Sequence, residues 1–361
     1  MTRTPLTGPS AWQGKDIRNS TRWIRQLSPQ QIGEIEAALE AVKGMPWQDI
    51  KREDFPLPSL DGLLDDIAGE LENGCGIMKL KGFPVAHHSE DDLRRMYWGL
   101  GTHLGRPVFQ NRSGELMRAI RDEGAHVGRT YGETKDKTGG TFLSSYARTL
   151  TNGGLRFHTD RTDVVGLLCV RQAMKGGVST LASTPAIHNA ILAKRPDLLD
   201  ALFTDYWRSR FGEEGTGKDG SSTTRATAYP LPIFGVRDGK FTSHYSLTFI
   251  EAAQMAPDVP KLTAAQKEAI DMLMSTAQEL CFEMTLEPGD LQLINSHVTY
   301  HGRTPFEDDF AAGKSRLLLR LWLTMANNRP LPAGHAVASR RCRLSSPREA
   351  RQCRKSPRAT A

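Results

Sequence analysis

The spacing of apolar residues predicts amphipathic helices in the first part of the chain. Ser28 and Pro29 stand before four apolar residues at helical spacing, which are Ile32, Ile35, Leu39 and Val42. A second amphipathic segment covers residues 60–71. A third helix is expected to begin at Ser89, because Ser89 and Asp92 match the start of a capping box.

Strand patterns dominate the later part of the chain. Residues 164–170 form an apolar, β-branched run that is typical of a buried strand, and similar pieces occur in CFEMTLEPGD, DLQLINSHVTYH and RLLLRLWLTM. The pair Asp238 and Gly239 predicts a hairpin. Between these strands the pattern predicts one helix over residues 185–203 and another over residues 263–280.

Helices before a mostly β second half predict a single α+β domain, mainly β, built around a barrel or sandwich. We expect this domain to cover residues 28–330, after an extended N-terminal arm of residues 1–27. Within it, residues 101–157 are irregular and rich in glycine, which is typical of a lid and substrate loops.

The net positive charge of the chain is concentrated at its C-terminal end. The net charge is +6, but the segment from Arg340 to Ala361 holds eight basic residues against one acid, Glu349, so the other residues carry about −1. The segment lacks periodic apolar residues, which predicts a basic, disordered tail over residues 331–361. A solvated extension is the preferred interpretation, and no nucleic-acid partner is predicted.

Cysteine usage and hydropathy bear on the compartment. Three cysteines stand in apolar contexts and two lie in the tail, with no disulfide framework and no metal-site spacing. No apolar stretch is long enough to cross a membrane, and the first 20 residues lack a hydrophobic signal core. We therefore expect a cytoplasmic protein with no membrane partner. A homo-oligomer is compatible with the sequence.

A histidine and an aspartate stand two residues apart just before the run at residues 164–170. They are His158 and Asp160, in FHTD. In an extended chain both side chains point to the same side. Such a pair suits a metal, an oriented general base, or a simple mutual hydrogen bond, and the pair alone does not decide between them.

A further histidine near the other end of the chain favours the metal. His301 closes the strand-like run that also contains His297. Two imidazoles and one carboxylate on one face of a metal leave its other positions open, as non-haem iron(II) requires when it binds a cosubstrate and oxygen. Zinc fits the same ligand types, although nothing nearby supplies an obvious hydrolytic base.

Two other motifs are interpreted as structural. His88 and Glu90 repeat the two-residue spacing, but they fall at a helix start, where Glu90 suits the helix dipole. The segment GEEGTGKD, residues 212–219, imitates a phosphate-binding loop. Its last residue is Asp219 instead of serine or threonine, and no buried strand precedes it, so we reject that function.

Two arginines in SRLLLRLWLTM point to an anion inside the fold. Arg316 and Arg320 are four residues apart in a strand-like run, so both project to one face, with Leu318 between them and Trp322 beyond. Arginine is costly to bury without a partner, and its guanidinium group matches a carboxylate through two parallel hydrogen bonds. Pairing with an acid of the protein, such as Asp163, is the structural alternative.

Four motifs in order give the chain a family resemblance. FHTD, KGGVST, PGDLQLINSHVTYHGRT and RLLLRLW together resemble the taurine dioxygenase/2,4-dichlorophenoxyacetate dioxygenase (TauD/TfdA-like) family of Fe(II)- and 2-oxoglutarate-dependent oxygenases, over residues 75–327. The resemblance implies a double-stranded β-helix, or jelly roll, flanked by helices. It also implies that iron(II) is bound by His158, Asp160 and His301, with 2-oxoglutarate and O2 as cosubstrates.

The resemblance extends to the cosubstrate site. It implies that Arg316 binds the distal carboxylate of 2-oxoglutarate, that Ser179 stands where the family commonly has a threonine touching the cosubstrate, and that Arg320 faces cosubstrate or substrate. The expected reaction is hydroxylation of an sp3 carbon with release of succinate and CO2. Desaturation, ring closure, a non-redox cupin-type metal enzyme, and a non-catalytic module acting through the tail remain alternatives.

The substrate is expected to be a small molecule that bears a carboxylate or resembles an amino acid. Taurine itself is disfavoured, because RPVF replaces the histidine and tyrosine of taurine-specific members and Gly154 falls where they carry asparagine. The candidate substrate residues are Arg106, Phe109, Gln110, Asn111 and Arg320.

Overall fold

The computed structural model describes residues 3–111, 114–136, 138–209, 211 and 228–340, with no side-chain detail for residues 337–340. Its strands form two main sheets. The larger has the order β1-β2-β16-β8-β19-β3, with β4 also paired to β19. Its strands are β1 (Ile24–Gln26), β2 (Ile77–Lys81), β3 (Arg106–Pro107), β4 (Met117–Ile120), β8 (Val164–Arg171), β16 (Leu291–Asn295) and β19 (Leu317–Thr324).

The smaller sheet has the order β15-β10-β17-β7. Its strands are β7 (Leu155–His158), β10 (Ser179–Ser183), β15 (Phe282–Met284) and β17 (Thr299–Arg303). Four two-stranded antiparallel sheets complete the described β structure: β5 (Glu133–Lys135) with β6 (Thr141–Leu143), β9 (Lys175–Gly176) with β18 (Phe306–Glu307), β11 (Asp205–Ser209) with β12 (Ala228–Pro232), and β13 (Phe234–Arg237) with β14 (Lys240–Ser243).

Helices lie before, between and after these strands. They are α1 (Gly14–Ile17), α2 (Pro29–Ala41), α3 (Asp61–Asn73), α4 (Glu90–Leu104), α5 (Val127–Tyr131), α6 (Ser145–Thr149), α7 (Thr184–Lys194), α8 (Pro196–Leu202), α9 (Leu247–Met255), α10 (Ala264–Leu280) and α11 (Ala333–Arg340). Local sequence signals explain several starts. Ser28 and Thr263 form capping boxes, and the side chain of Ser89 accepts a hydrogen bond from the Asp92 amide.

Three hydrophobic clusters show how the layers stack. The apolar faces of α2, α3 and α4 bury residues such as Leu168 and Leu319 on the outer face of the larger sheet. Residues of both sheets, including Cys169, Leu318 and Leu181, share a cluster between them. Helices α7, α8 and α10 cover the outer face of the smaller sheet. The result is a jelly-roll core flanked by helices, which confirms the predicted α+β architecture.

The alternation of side chains along β19 explains how charged residues enter this core. Leu319, Leu321 and Leu323 point to the helical layer. Residues of the opposite parity therefore lie on the inner face, where Leu318 contacts the inter-sheet cluster. Arg320 and Trp322 share that face, whereas Arg316 precedes β19 and is separated from Arg320 by a register shift between Leu317 and Leu318.

The structure differs from the pattern at one predicted helix. Residues 185–203 form two helices, α7 and α8, because Arg195 adopts an extended backbone (φ −149°, ψ 73°) immediately before Pro196. Proline disfavours the helical conformation of the residue that precedes it and cannot donate an amide hydrogen bond. The hairpin at Asp238 and Gly239 is confirmed, with both residues at positive φ.

The two ends of the chain also make contacts that their composition did not indicate. The predicted arm contains α1 and the strand β1, which pairs in parallel with β2, and the Trp12 indole donates to the Cys75 carbonyl at 2.8 Å. The predicted tail begins with α11, whose His335 is buried. These apolar contacts hold residues on both sides of the expected domain boundaries. Residues 341–361 and the GEEGTGKD segment, residues 212–219, lie outside the described residues.

Within the described part of the chain, no helix is both long and apolar enough for a membrane crossing.

Candidate active site

The three predicted metal ligands meet at the edge of the smaller sheet. His158 ends β7, and His301 lies opposite it on the neighbouring strand β17. Asp160 follows His158 by two residues, so its carboxylate returns to the same side. One ligand atom from each of the three side chains lies within 4.8 Å of the others. The Asp160 carboxylate is 3.8 Å from His158 Nε2 and 3.9 Å from His301 Nε2.

Each of the two imidazoles presents its Nε2 atom to the Asp160 carboxylate. His158 Nδ1 lies 2.9 Å from the Arg156 carbonyl, an acceptor, so Nδ1 carries the proton and Nε2 keeps its lone pair toward Asp160. Burial, with the neighbouring His158 ring, lowers the pKa of His301 to about 3. The low pKa leaves the His301 ring neutral, with a nitrogen lone pair available to a metal.

Asp160 is held as a carboxylate. Burial acts to raise its pKa, but the positive charge of Arg320, the two histidines and a hydrogen bond from Trp322 outweigh burial and lower the pKa. Trp322 Nε1 donates to Oδ2 at 2.9 Å, and Arg320 Nη1 lies 3.5 Å from the same oxygen. The carboxylate is thus oriented by two residues from the inner face of β19.

Gln110 fixes Arg320 in this position. The Arg320 Nε–H donates to Gln110 Oε1 at 2.7 Å, and the Gln110 amide nitrogen donates to the Arg320 carbonyl at 2.8 Å. This double contact joins the segment after β3 to the centre of β19. Two donors of Arg320 are therefore directed at groups of the protein.

Arg316 has a different environment. It is 6% exposed, and among the described residues no carboxylate lies within 4.0 Å of its guanidinium group. Its Nη1 is buried without a hydrogen-bond partner. Burial and the charge of Arg303 lower the pKa of Arg316 to about 9. A cation so buried and unpaired is suited to receive an anion from outside the protein.

The glycine pair in KGGVST lets the backbone approach Arg316. Gly177 has φ +69°, and a Cβ added there would lie 3.0 Å from Arg316 Nε. Gly176 has φ +74°, and its added Cβ would lie 2.1 Å from the Pro305 carbonyl oxygen. Any side chain at Gly177 would crowd the guanidinium group and the space beside it.

Ser179 and Arg303 lie opposite each other on β10 and β17, and both are buried. The sequence motifs indicated Ser179, but they did not single out Arg303. Arg303 Nη2 donates to the Thr151 carbonyl at 2.7 Å, whereas Nε and Nη1 have no partner. Its guanidinium group and that of Arg316 both lie over the Phe306 ring. The sequence signal that could have identified Arg303 is its position two residues after His301 on the same strand.

The candidate substrate residues separate into two groups. Gln110 and Arg320 line a small cavity beside Asp160, together with Trp322. Arg106 is exposed on β3, Phe109 lines neither cavity described here, and the Asn111 amide nitrogen donates to Glu115 and Tyr146. The first group therefore adjoins the ligand triad and the second does not.

A larger cavity adjoins the same histidine. Its volume is about 770 Å³, and His158, Ser145 and Thr149 line both it and the small cavity. Helices α6 and α9 form much of its wall. A substrate in this space would reach the ligand triad past His158.

The other histidine pairs are structural. His297 Nε2 lies 3.1 Å from Asp163 Oδ1, and its Nδ1 lies 3.2 Å from the Thr242 hydroxyl, away from the ligand triad. His88 lies 3.6 Å from Glu36 at the helix surface. The choice of His301 over His297 as a candidate ligand therefore agrees with the geometry.

Comparison with known proteins places the chain among oxygenases. The family model described as "Taurine catabolism dioxygenase TauD, TfdA family" matches residues 41–322. The chain is 31% identical over 340 residues to FR-33289 synthase of Streptomyces rubellomurinus, covering 91% of this chain and 93% of that protein. It is 27% identical to taurine hydroxylase-like protein SAT17 of Stachybotrys chartarum, over 88% of this chain and 79% of that protein.

Solved structures agree on the fold. A structure of asparagine oxygenase with Fe(II), 3-hydroxyasparagine and succinate aligns with a TM-score of 0.61 at 16% identity, over 84% of this chain and 93% of that chain. A structure of the non-haem iron oxygenase OrfP with Fe, succinate and hydroxyarginine aligns with a TM-score of 0.60 at 16% identity, over 92% of this chain and 97% of that chain. These similarities support the jelly-roll assignment.

Proposed function

Since the chain belongs to the TauD, TfdA family of Fe(II)- and 2-oxoglutarate-dependent dioxygenases, we propose that it hydroxylates an aliphatic carbon of a small, acid-bearing substrate. His158, Asp160 and His301 are the proposed iron ligands, and Arg316 with Ser179 is the proposed site of 2-oxoglutarate. Oxidation of a C–H bond, with release of succinate and CO2, is the chemistry that iron(II), 2-oxoglutarate and O2 supply when bound at such a site.

The donor set of the triad supports iron(II). Two imidazoles and one carboxylate, with ligand atoms within 4.8 Å of one another, match the set that holds non-haem iron and leaves positions open. The contacts of Trp322 and Arg320 with Asp160 Oδ2 orient the carboxylate. We therefore treat Trp322 and Arg320 as positioning residues for the iron ligand.

The surroundings of Arg316 support 2-oxoglutarate. Its guanidinium group is buried and unpaired among the described residues, and its planar donors match a carboxylate. Gly177 leaves the approach clear. Arg303, whose guanidinium group also contacts the Phe306 ring, adds a second positive charge at this end of the site. The unpaired guanidinium of Arg316 is the observation that carries the cosubstrate assignment.

Two broader alternatives use the same residues. Desaturation and ring closure need the same iron ligands, and no contact in the site favours either of them over hydroxylation.

A reducing, cytoplasmic location is our proposal for the compartment, supported by Cys75, Cys169 and Cys281, which are all free.

The test is an anaerobic titration of the iron(II)-loaded protein with 2-oxoglutarate, followed by admission of O2. We expect a visible charge-transfer band to develop with 2-oxoglutarate and succinate to form after O2 is admitted. His301→Gln should lose both signals, whereas His126→Gln, a change at an exposed histidine, should retain both. A folded, iron-loaded native protein that gives neither band nor succinate would overturn the proposal.

A further inference from the structure

The larger cavity offers a position for the acidic group of the substrate. It adjoins the small cavity at the ligand triad, since Ser145 and Thr149 line both. Arg148 lies between these two residues on α6 and also lines the larger cavity. Building on the proposed function, we propose that Arg148 binds an oxyanion group of the substrate while another part of the substrate reaches the iron ligands.

Arg148 is anchored without being neutralised. Its Nε–H donates to the Leu143 carbonyl at 3.1 Å, and its guanidinium carbon lies 5.3 Å from the centre of the Phe142 ring. Among the described residues, no carboxylate lies within 4.0 Å of it. The remaining guanidinium nitrogens are those that a planar or tetrahedral oxyanion contacts.

Glu251, an acid in the cavity wall, is already paired with another arginine. Arg156 Nη1 and Nη2 donate to the two carboxylate oxygens of Glu251, at 2.8 and 2.6 Å. This two-point geometry commits Glu251 to Arg156 and leaves Arg148 beside a pair of no net charge. Arg148 therefore contributes an uncompensated positive charge to this wall.

The other charged residues that line the cavity also contribute to a net positive charge. The described lining holds four basic side chains, Arg148, Arg156, Lys261 and Lys267, against two acids, Asp136 and Glu251. Lys261 Nζ donates to the carbonyls of Gln254 and Ala256 and not to an acid. A cavity with this excess of basic groups attracts and concentrates anions.

Arg320 is less suited to this task than the family resemblance implies. Its Nε–H is used by Gln110, and its Nη1 faces the Asp160 carboxylate. A substrate acid at Arg320 would compete with the residue that orients the iron ligand. Arg148 lies outside that network, so an acidic group bound there leaves the ligand geometry undisturbed.

The proposal is tested with four compounds on one carbon chain. The acids are 4-aminobutyrate, 3-aminopropanesulfonate and 3-aminopropylphosphonate, and the neutral control is 4-aminobutanamide. Each is titrated by anaerobic calorimetry into protein loaded with iron(II) and 2-oxoglutarate, so that the cosubstrate already occupies its own site. We expect at least one acid to bind about tenfold more tightly than the amide, as a charge-assisted contact requires. The three acids distinguish carboxylate, sulfonate and phosphonate chemistry.

Variants that remove a positive or a negative charge from the cavity test whether Arg148 contacts the acid. Arg148→Gln should remove the preference for the acid, and Arg148→Lys should keep part of it. Glu251→Gln should strengthen binding of the acid severalfold, because it frees the charge of Arg156. Arg129→Gln, a change at an exposed arginine outside the cavity, should leave the preference as it is in the native protein.

The outcomes separate the two proposals. A native protein that binds the amide as tightly as every acid overturns the role of Arg148, and so does a folded Arg148→Gln variant that keeps the preference. Failure of the native, iron-loaded protein to bind 2-oxoglutarate counts against the proposed function instead. The acid preference of that protein, measured without 2-oxoglutarate, would still decide the role of Arg148.

Discussion

The surroundings of Asp160 and those of Arg316 differ in how far their charges are matched by the protein itself. Asp160 has Trp322 at 2.9 Å, Arg320 at 3.5 Å and two histidines within 4 Å. Arg316 is equally enclosed, yet no described carboxylate lies within 4.0 Å of it. One region is thus assembled before any ligand arrives, whereas the other is completed by its ligand. The assembled region suits a metal and the incomplete region suits an exchangeable cosubstrate.

The largest effect on turnover is expected from removing the Asp160 carboxylate, which lies at the centre of the assembled region. Asp160→Ala deletes the only anionic candidate ligand, so turnover should fall by more than about 100-fold, beyond the loss typical of outer partners of a metal ligand. The fold should survive, because Asp160 lies at a strand edge and not in a hydrophobic cluster. Succinate formation and thermal unfolding are the measurements. Turnover at the native rate with iron bound would show that the ligands are misassigned.

The next effect is expected at the incomplete region. Arg316→Ala should raise the dissociation constant of 2-oxoglutarate by at least about 30-fold, since a charge-assisted pair of this kind contributes on the order of 2 to 5 kcal/mol. Arg316→Lys should restore part of the affinity, because a point charge lacks the two-pronged donor geometry. Titration of the charge-transfer band measures both variants. An unchanged dissociation constant in Arg316→Ala would place the distal carboxylate elsewhere.

A smaller and different effect is expected at Arg320, the arginine within β19. Arg320→Ala removes a partner of Asp160, so the iron(II) affinity should fall by about tenfold, the lower end for an outer partner of a metal ligand. The affinity for 2-oxoglutarate, measured at saturating iron, should change much less than in Arg316→Ala. Iron binding at equilibrium gives the first quantity and the charge-transfer titration the second. Equal losses of 2-oxoglutarate affinity in both variants would mean that both arginines bind the cosubstrate.

The same contrast explains what the sequence could predict. Periodicity placed β8 and β19 correctly, because each strand is buried and its side chains alternate between two fixed layers. The prediction of one strand ending in His301 is wrong, because a turn at residues 296–298 divides it into β16 and β17, and β17 continues to Arg303. That alternation puts Arg320 and Trp322 on one face, whereas Arg316 precedes β19, beyond the irregularity at Leu317 and Leu318. The choice of metal ligands depended on the family motifs. Spacing alone did not decide it, because His88 and Glu90 are separated by two residues just as His158 and Asp160 are.

The partners of these residues could not be predicted from local patterns. Gln110 and Arg320 are 210 residues apart in sequence, and their contact depends on how the segment after β3 crosses β19. The cavity wall is equally nonlocal, because Arg156 on β7 meets Glu251 on α9 across 95 residues. Irregular segments lack a periodicity that fixes their side-chain directions. The residues proposed to select the substrate therefore emerge only from the folded arrangement.

The smallest effect is expected on the affinity for 2-oxoglutarate when Ser179, a neutral residue of the incomplete region, is replaced. Ser179→Ala removes one hydroxyl, and a single neutral hydrogen bond contributes about 0.5 to 1.5 kcal/mol, so the dissociation constant of 2-oxoglutarate should rise by about two- to tenfold. Ser179→Thr keeps a hydroxyl at this position, so it serves as the matched control and should bind 2-oxoglutarate as the native protein does. Iron affinity should be unchanged in both variants, because neither contacts the ligand triad. A loss in Ser179→Ala as large as that in Arg316→Ala would mean that the hydroxyl organises the whole cosubstrate site, and the charge of Arg316 would no longer explain cosubstrate binding by itself.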